Sequence, residues 1–141
     1  MRPRELPLAL LVLRFGLGVF LLLWSIDKMV APEQTAKIFE FFYKTPLPAS
    51  VAPVVGALEA ALSLALLAGL WKTWTYGAAL AIHAISTLST WKQLAAPFGE
   101  NHLFLAAIPV LAGFATLFLL RREDTLLAAR GRGVTGPASS S

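Results

Sequence analysis

Residues 6–26 read LPLALLVLRFGLGVFLLLWSI, an apolar run that only Arg14 interrupts. A helix needs roughly 20 apolar residues to cross a hydrocarbon core about 30 Å thick, so this run is long enough to span a membrane. Further apolar runs follow at about residues 51–70, 74–91 and 103–120. Because lipid offers no partners for backbone amides, each run is expected to be helical. We therefore predict an all-α fold, a transmembrane four-helix bundle formed by residues 1–122.

The composition excludes several other classes of protein. Hydrophobic residues make up 57% of the chain and charged residues 14%, against roughly 45–50% and roughly 25% in soluble proteins. The chain has no cysteine, so it forms neither disulfides nor thiolate metal sites. No spacing of histidines and carboxylates suggests a metal or haem site, and we predict no metal. The basic residues lie at the ends of apolar runs, which favours a lipid bilayer over nucleic acid as the partner.

The distribution of basic residues predicts the orientation in the membrane. Four spans put both termini on one side, together with seven basic residues: Arg2, Arg4, Lys72, Arg121, Arg122, Arg130 and Arg132. Four lie on the other side: Lys28, Lys37, Lys44 and Lys92. The positive-inside rule then places both termini in the cytoplasm, and the expected location is a bacterial inner membrane.

Two segments outside the spans have distinct patterns. In residues 31–48, Pro32 suits a first helical position, and charged residues share one helix face, namely Glu33, Lys37, Glu40 and Lys44. Phe39 and Phe42 lie on the opposite face. We predict an interfacial amphipathic helix with these two aromatic residues as its lipid or partner surface; an irregular loop is the alternative. Residues 123–141 are polar and rich in Gly, Ala and Ser, which predicts a mobile tail.

Three ionisable residues fall inside the predicted spans, namely Arg14, Glu59 and His83. At about 1.5 Å per residue, all three come within several ångströms of the membrane midplane. A buried charge in lipid is costly, so we predict that they form one polar network. One interpretation is a structural Arg14–Glu59 ion pair with His83 beside it. The other is a site for a polar headgroup or a proton, in which the catalytic residues stay unknown and Glu59 and His83 are the best candidates for handling protons. Arg14 can also reach the inner interface with its long side chain.

A second polar group is predicted at the outer ends of the spans. Asp27 and Lys28 end the first span, and Asn101 and His102 precede the last one. Trp24, Trp91 and Lys92 are typical interfacial anchors at this depth. Asp27, Lys28, Asn101 and His102 are the candidates for the mouth of a ligand pocket.

The order of these features resembles the DoxX family of small four-helix membrane proteins. The matching stretches are Leu13-Arg14-Phe15-Gly16-Leu17-Gly18, Trp24-Ser25-Ile26-Asp27-Lys28, Pro46-Leu47-Pro48 and Val55-Gly56-Ala57-Leu58-Glu59, followed by the turn after Gly69-Leu70-Trp71 and by Asn101. The resemblance covers about residues 8–120. Ile108-Pro109-Val110-Leu111-Ala112-Gly113 departs from the more glycine-rich last span of the family. The resemblance implies a membrane subunit close to quinone chemistry, not a demonstrated enzyme.

Two functions remain open from the sequence. The first is a subunit of a quinone-linked oxidoreductase that holds a quinone in its bundle, with no cofactor bound by ligands of its own. The alternative is a non-catalytic anchor or accessory subunit that stabilises a larger membrane complex with other membrane protein subunits. A small transporter is a third class, but the chain lacks the internal inverted repeat typical of transporters. Quinone or protein that co-purifies in mild detergent would separate the first two.

Overall fold

The computed structural model describes residues 3–129, and within this range the chain forms helices and no strand. The helices are α1 (Glu5–Val30), α2 (Pro32–Ile38), α3 (Ala52–Leu67), α4 (Lys72–Ser89), α5 (Trp91–Ala95) and α6 (Ala107–Leu119). A π-helical turn at Phe39–Tyr43 follows α2, and a 3-10 helix at Gly99–Ala106 precedes α6. The all-α fold class predicted from the sequence is confirmed.

The four longest helices pack side by side. The most extensive contact joins α1 to α3, the next joins α4 to α6, and smaller contacts join α3 to α4 and α1 to α6. We call the end that carries Glu5 and Leu119 the terminal end, and the end that carries Val30 and Ala52 the distal end. Between them lies a core of buried side chains: Leu10, Leu17, Leu21, Leu66, Tyr76, Ala79, Phe114 and Leu117.

Two helical segments of residues 3–129 are long and apolar enough to cross a membrane. They are Glu5–Val30, with 26 residues, and Gly99–Leu119, with 21. The other two long helices are shorter or less apolar, since α3 has 16 residues and α4 begins with Lys72 and contains His83. The structure thus gives the predicted first and last spans the dimensions of transmembrane helices.

The predicted last span differs from expectation in its helix type. Residues 103–120 were expected to form one helix, but the first part belongs to the 3-10 helix and only Ala107–Leu119 is α-helical. Pro109 explains the boundary. Its ring lacks an N–H and would clash with the carbonyl of Leu105 in a continuous α-helix, so it fits only in the first turn of α6.

The segment between the first two long helices is shorter and less regular than predicted. Pro32 begins α2, as expected, but the regular helix ends at Ile38 and the π-helical turn ends before Lys44, which adopts a left-handed conformation with φ 53°. The ring of Phe42 lies 6.1 Å from that of Phe104 in the 3-10 helix. This aromatic contact connects the segment to the helix that leads into α6.

Gly56 allows α1 and α3 to approach closely near the distal end. A Cβ atom on Gly56 would lie 2.7 Å from the backbone oxygen of Ser25 and 2.9 Å from Cγ of Met29. A backbone oxygen in a helix cannot move away without shifting the helix itself. The close packing of α1 on α3 therefore depends on a residue without a side chain at this position.

Replacing Gly56 with Ala is expected to destabilise the protein by about 1–3 kcal/mol, because the added methyl group must push α3 away from α1. Gly16 provides the matched control, since a Cβ atom there would meet nothing within 4 Å. Gly16→Ala should leave the stability unchanged or raise it by up to about 1 kcal/mol, because Ala favours the helix. Thermal unfolding in detergent measures both. Equal midpoints for the two variants would contradict the close helix contact.

Candidate functional site

A closed polar cluster lies at the terminal end, around the side chain of Arg14. Nη1 of Arg14 donates to Oδ1 of Asp124 at 2.8 Å, and the phenol of Tyr76 donates to Oδ2 of the same carboxylate at 2.5 Å. Lys72 donates from Nζ to the main-chain oxygen of Asp124. Arg14 is 1% exposed, and Tyr76 and Asp124 are 0% exposed. The Arg14–Asp124 pair is the most deeply buried ion pair in the described part of the chain.

The short segment after α6 carries Asp124 into the cluster. Nη2 of Arg14 donates to the main-chain oxygens of Leu126 and Leu127, at 2.7 and 3.1 Å. Farther along, the amide of Ala129 donates to the carbonyl of Ala68 at 2.7 Å. Residues 124–129 thus fold back over the turn between α3 and α4, and we call them the return segment.

Gly69 makes room for the return segment at that turn. Its φ of +65° is a left-handed conformation that favours glycine. A Cβ atom at Gly69 would lie 2.8 Å from Cβ of Ala128 and 3.1 Å from Nη1 of Arg14. Both the backbone angle and the space therefore require glycine where the segment crosses the turn.

Glu59 lies in a separate pair at the distal end. Nζ of Lys28 donates to Oε2 of Glu59 at 2.8 Å, and both side chains are largely buried, with 16% and 14% exposed. The predicted Arg14–Glu59 ion pair does not form. Because α1 and α3 run antiparallel, Glu59 lies beside Lys28, which is 14 residues, or about 21 Å of helix, beyond Arg14.

His83 occupies a third, mostly aromatic environment. Its Nε2 lies 3.2 Å from the carbonyl oxygen of Ala107. Since a carbonyl can only accept, Nε2 is the atom that carries the proton. The ring of Phe20 meets that of His83 edge-on at 5.8 Å, and the ring of Phe114 lies 5.4 Å away. The structure therefore places Arg14, Glu59 and His83 in three separate environments and not in one network.

An open groove of about 470 Å³ lies between α1 and α2, towards the distal end. Its lining is mostly apolar and aromatic, with one carboxylate and one amide: Phe20, Leu23, Trp24, Asp27, Gln34 and Ile38. The Asp27 carboxylate makes no hydrogen bond or ion pair to any residue in 3–129, whereas Glu59 and Asp124 are both paired. Phe20, which lines the groove, contacts the ring of His83 edge-on.

Of the four residues predicted to form a pocket mouth, only Asp27 lines this groove. Lys28 is bonded to Glu59. Asn101 donates to the carbonyl of Ala96 at 3.0 Å, and a ring nitrogen of His102 bonds the carbonyl of Gly99. Asn101 and His102 thus stabilise the turn at the start of the 3-10 helix, and the structure does not bring the four residues together.

Sequence reasoning missed the residues that complete both sites. The tail prediction began at residue 123, whereas the structure buries Asp124 and bonds it to Arg14. Residues 130–141 of that predicted tail lie outside the described part of the chain. Tyr76 was counted as part of an apolar run, and Gln34 was given no role within residues 31–48. The one available signal was the pair of acids Glu123 and Asp124 directly after the basic end of the last span.

A comparison with family models now identifies the chain. The DoxX model matches residues 9–93, which run from α1 into α5. The chain belongs to the DoxX family. The resemblance read from the sequence is thereby confirmed, and family and apolar helices together make the chain an integral membrane protein. Searches of the curated proteins and of the solved structures found no match.

The DoxX match covers the whole groove but only part of the Arg14 cluster. Every residue that lines the groove lies within residues 9–93, as do Arg14, Lys72 and Tyr76. Asp124 and the return segment lie outside the match. Among residues 3–129, no three residues of the types His, Asp and Glu lie close enough together to hold a metal ion. The groove is the candidate ligand site of this DoxX chain, and the Arg14 cluster lies apart from it, at the terminal end of the helices.

Proposed function

We propose that this DoxX chain is a membrane subunit of a quinone-linked redox complex and holds a quinone ring in the groove between α1 and α2. The observation that carries the proposal is the carboxylate of Asp27, unpaired within residues 3–129, in an otherwise apolar and aromatic groove. A volume of about 470 Å³ also falls within the usual range of about 300–1,000 Å³ for small-molecule sites.

The walls of the groove suit a flat ring with an apolar tail. The rings of Phe20 and Trp24 offer surfaces on which another ring can pack. Leu23 is 61% exposed and Trp24 48% exposed, so this side of α1 opens towards the surroundings of the protein. In a membrane those surroundings are lipid, and a hydrocarbon tail can leave the groove without crossing water.

The two polar residues suit the two redox forms of the ring. A quinone, when bound, supplies chemistry that takes up or releases two electrons and two protons. The carboxylate of Asp27 can accept a hydrogen bond from a quinol hydroxyl, and the amide of Gln34 can donate one to a quinone oxygen. His83, behind Phe20, stays a candidate for handling protons, whereas Glu59 is already bonded to Lys28.

The electrons must reach the groove from a partner. The chain has no cysteine, so it cannot carry a thiol relay or an iron–sulfur cluster on thiolates. A subunit that binds quinone beside a partner protein with its own redox centre is consistent with this. The family relationship supports a membrane subunit and does not by itself supply a reaction.

A non-catalytic accessory subunit is the second candidate. A second hollow of about 580 Å³ lies along α3 and α4 near the terminal end, between Trp71 and Trp74. Trp74 is 80% exposed and Trp71 is 61% exposed. Large exposed aromatic residues beside a hollow are typical anchors for a partner protein. In this case the purified chain would carry a protein partner and no quinone.

A substitution that fills the groove tests the quinone site. Leu23→Trp should place an indole in the groove and reduce the quinone that co-purifies with the protein in mild detergent to trace amounts. Leu64→Trp is the matched control, since Leu64 is a leucine of similar exposure, 57% against 61%, on α3 and outside the groove. Extraction and chromatography of the bound lipids measure the quinone per chain. Equal quinone content in the two variants would contradict the groove as its site.

We also propose that all four long helices cross the membrane, with both termini in the cytoplasm and the α2 segment outside, as in a bacterial inner membrane. The excess of basic residues on the terminal side supports this orientation. A reporter fused after Arg122 should then report the cytoplasm, and one fused after Ala49 the opposite side. The same location for both reporters would refute the four-span topology.

A further inference from the structure

We propose that Arg14, Lys72 and Tyr76 form a phosphate-binding site, which the return segment occupies with Asp124 as an internal substitute for the ligand. Phosphate displaces the segment from this site. The inference is independent of the quinone groove, which lies towards the other end of α1.

The donors of the site converge on acceptors from a single stretch of chain. Arg14 donates through both terminal nitrogens, Tyr76 through its hydroxyl and Lys72 through its ammonium. All their acceptors within this cluster belong to residues 124–127: the carboxylate and main-chain oxygen of Asp124 and the carbonyls of Leu126 and Leu127. A phosphate presents several acceptor oxygens on one atom and suits such a set of donors, above all a guanidinium.

The charges in the site favour a further anion. Two cations, Arg14 and Lys72, face the single carboxylate of Asp124, and the ammonium of Lys72 bonds a neutral main-chain oxygen. One positive charge therefore remains uncompensated within this group of residues. A phosphate that carries one or two negative charges neutralises it better than the segment does.

Polar contacts, not hydrophobic burial, hold the return segment in place. Thr125, Leu126 and Leu127 are all exposed, and Leu127 is 84% exposed. Leu127 also has a φ of 49°, a left-handed conformation that is unfavourable for leucine. Since the apolar side chains of the segment contribute little burial, an anion that competes for Arg14 and Lys72 is enough to release it.

The position of the site agrees with a phosphate at the membrane surface. Lys72 is the first residue of α4, and the return segment crosses the turn between α3 and α4. Arg121 lies at the same end, with its Nε bonded to Thr73. Phospholipid headgroups and soluble phosphates share the chemistry that these residues recognise, so an experiment must separate the two sources.

Cysteine labelling measures release of the return segment directly, because the chain has no cysteine of its own. Ala128→Cys places a thiol where the segment packs against Gly69, and Ser50→Cys places one at the exposed distal end as a control. Each variant is held in a neutral, phosphate-free detergent, with or without phosphatidylglycerol, and labelled with a maleimide. A further sample without phospholipid receives inorganic phosphate, with chloride at equal ionic strength as its reference.

The proposal predicts that phosphatidylglycerol, inorganic phosphate or both accelerate labelling of the Ala128→Cys protein at least roughly fivefold, the lower limit of typical coupling between ligands. Acceleration by phosphatidylglycerol alone identifies a lipid headgroup, and acceleration by inorganic phosphate identifies a soluble ligand. Adding Lys72→Gln should abolish the effect, and the Ser50→Cys protein should show none. Unchanged labelling of the Ala128→Cys protein in every sample would overturn the proposal. So would an acceleration that persists with Lys72→Gln, because the effect would then not arise from this site.

Discussion

Asp124→Asn lowers the stability of the protein in phosphate-free neutral detergent by about 3–5 kcal/mol, the usual cost of removing one partner from a buried ion pair. The guanidinium of Arg14 is 1% exposed and would lose its carboxylate partner at 2.8 Å, the only one that it has among residues 3–129. The phenol of Tyr76 would lose a charged acceptor as well. Thermal unfolding followed by tryptophan fluorescence measures the loss.

Two further variants separate this ion pair from a general effect of charge. Glu123→Gln removes the same charge from the neighbouring residue, which is exposed, and should leave the free energy of unfolding within about 0.5 kcal/mol of the original. Arg14→Gln combined with Asp124→Asn removes both charges and should recover part of the lost stability. An Asp124→Asn protein as stable as the Glu123→Gln protein would show that the pair contributes nothing.

Asp27→Ala weakens the binding of quinol by about 10–100-fold, which corresponds to the loss of a hydrogen bond to a charged acceptor of about 1.5–3 kcal/mol. The oxidised quinone has carbonyl oxygens and cannot donate to Asp27, so its affinity should stay the same or rise. A substitution that distinguishes the two redox forms in this way reports on a hydrogen bond and not on the shape of the groove.

The neighbouring acid Glu33 serves as the control for that substitution. Glu33 is exposed, lies beside Gln34 in the sequence and does not line the groove. Glu33→Ala should therefore leave the affinities for quinol and quinone unchanged. Equal loss of both redox forms in the Asp27→Ala protein would refute the proposed role of the carboxylate.

The helices could be predicted from the sequence because their causes are local. Apolar runs interrupted by few charges predicted the four longest helical regions to within a few residues at most ends. Pro32 predicted the start of α2 because proline fits the first helical turn. The N–H groups of that turn make no hydrogen bond within the helix, so the N–H that proline lacks is not needed there. Pro109 delays the start of the α-helix in the last apolar run, which also follows from a local rule. The prediction rested on hydropathy alone and took no account of Pro109.

The partners of the buried charges could not be predicted in the same way. Depth estimates brought Arg14 and Glu59 within several ångströms of one plane, but an estimate of depth contains neither the register of α1 against α3 nor the reach of each side chain. Arg14 instead reaches towards the terminal end, and its partner is 110 residues away in the sequence. Asp124 lies in a polar stretch without periodicity, so no pattern predicted its burial. The groove likewise depends on how α2 folds back beside α1.

Fluorescence quenching of Trp24 by a quinone tests the central claim most directly. The chain has four tryptophans, and a variant that retains only Trp24 reports on the groove. A variant that retains only Trp74, which is 80% exposed and outside the groove, reports on quinone dissolved in the lipid. Both are reconstituted in nanodiscs and titrated with a quinone of short tail. The quinone site predicts saturable quenching of Trp24 and only gradual quenching of Trp74. Gradual, non-saturating quenching of both residues would contradict it.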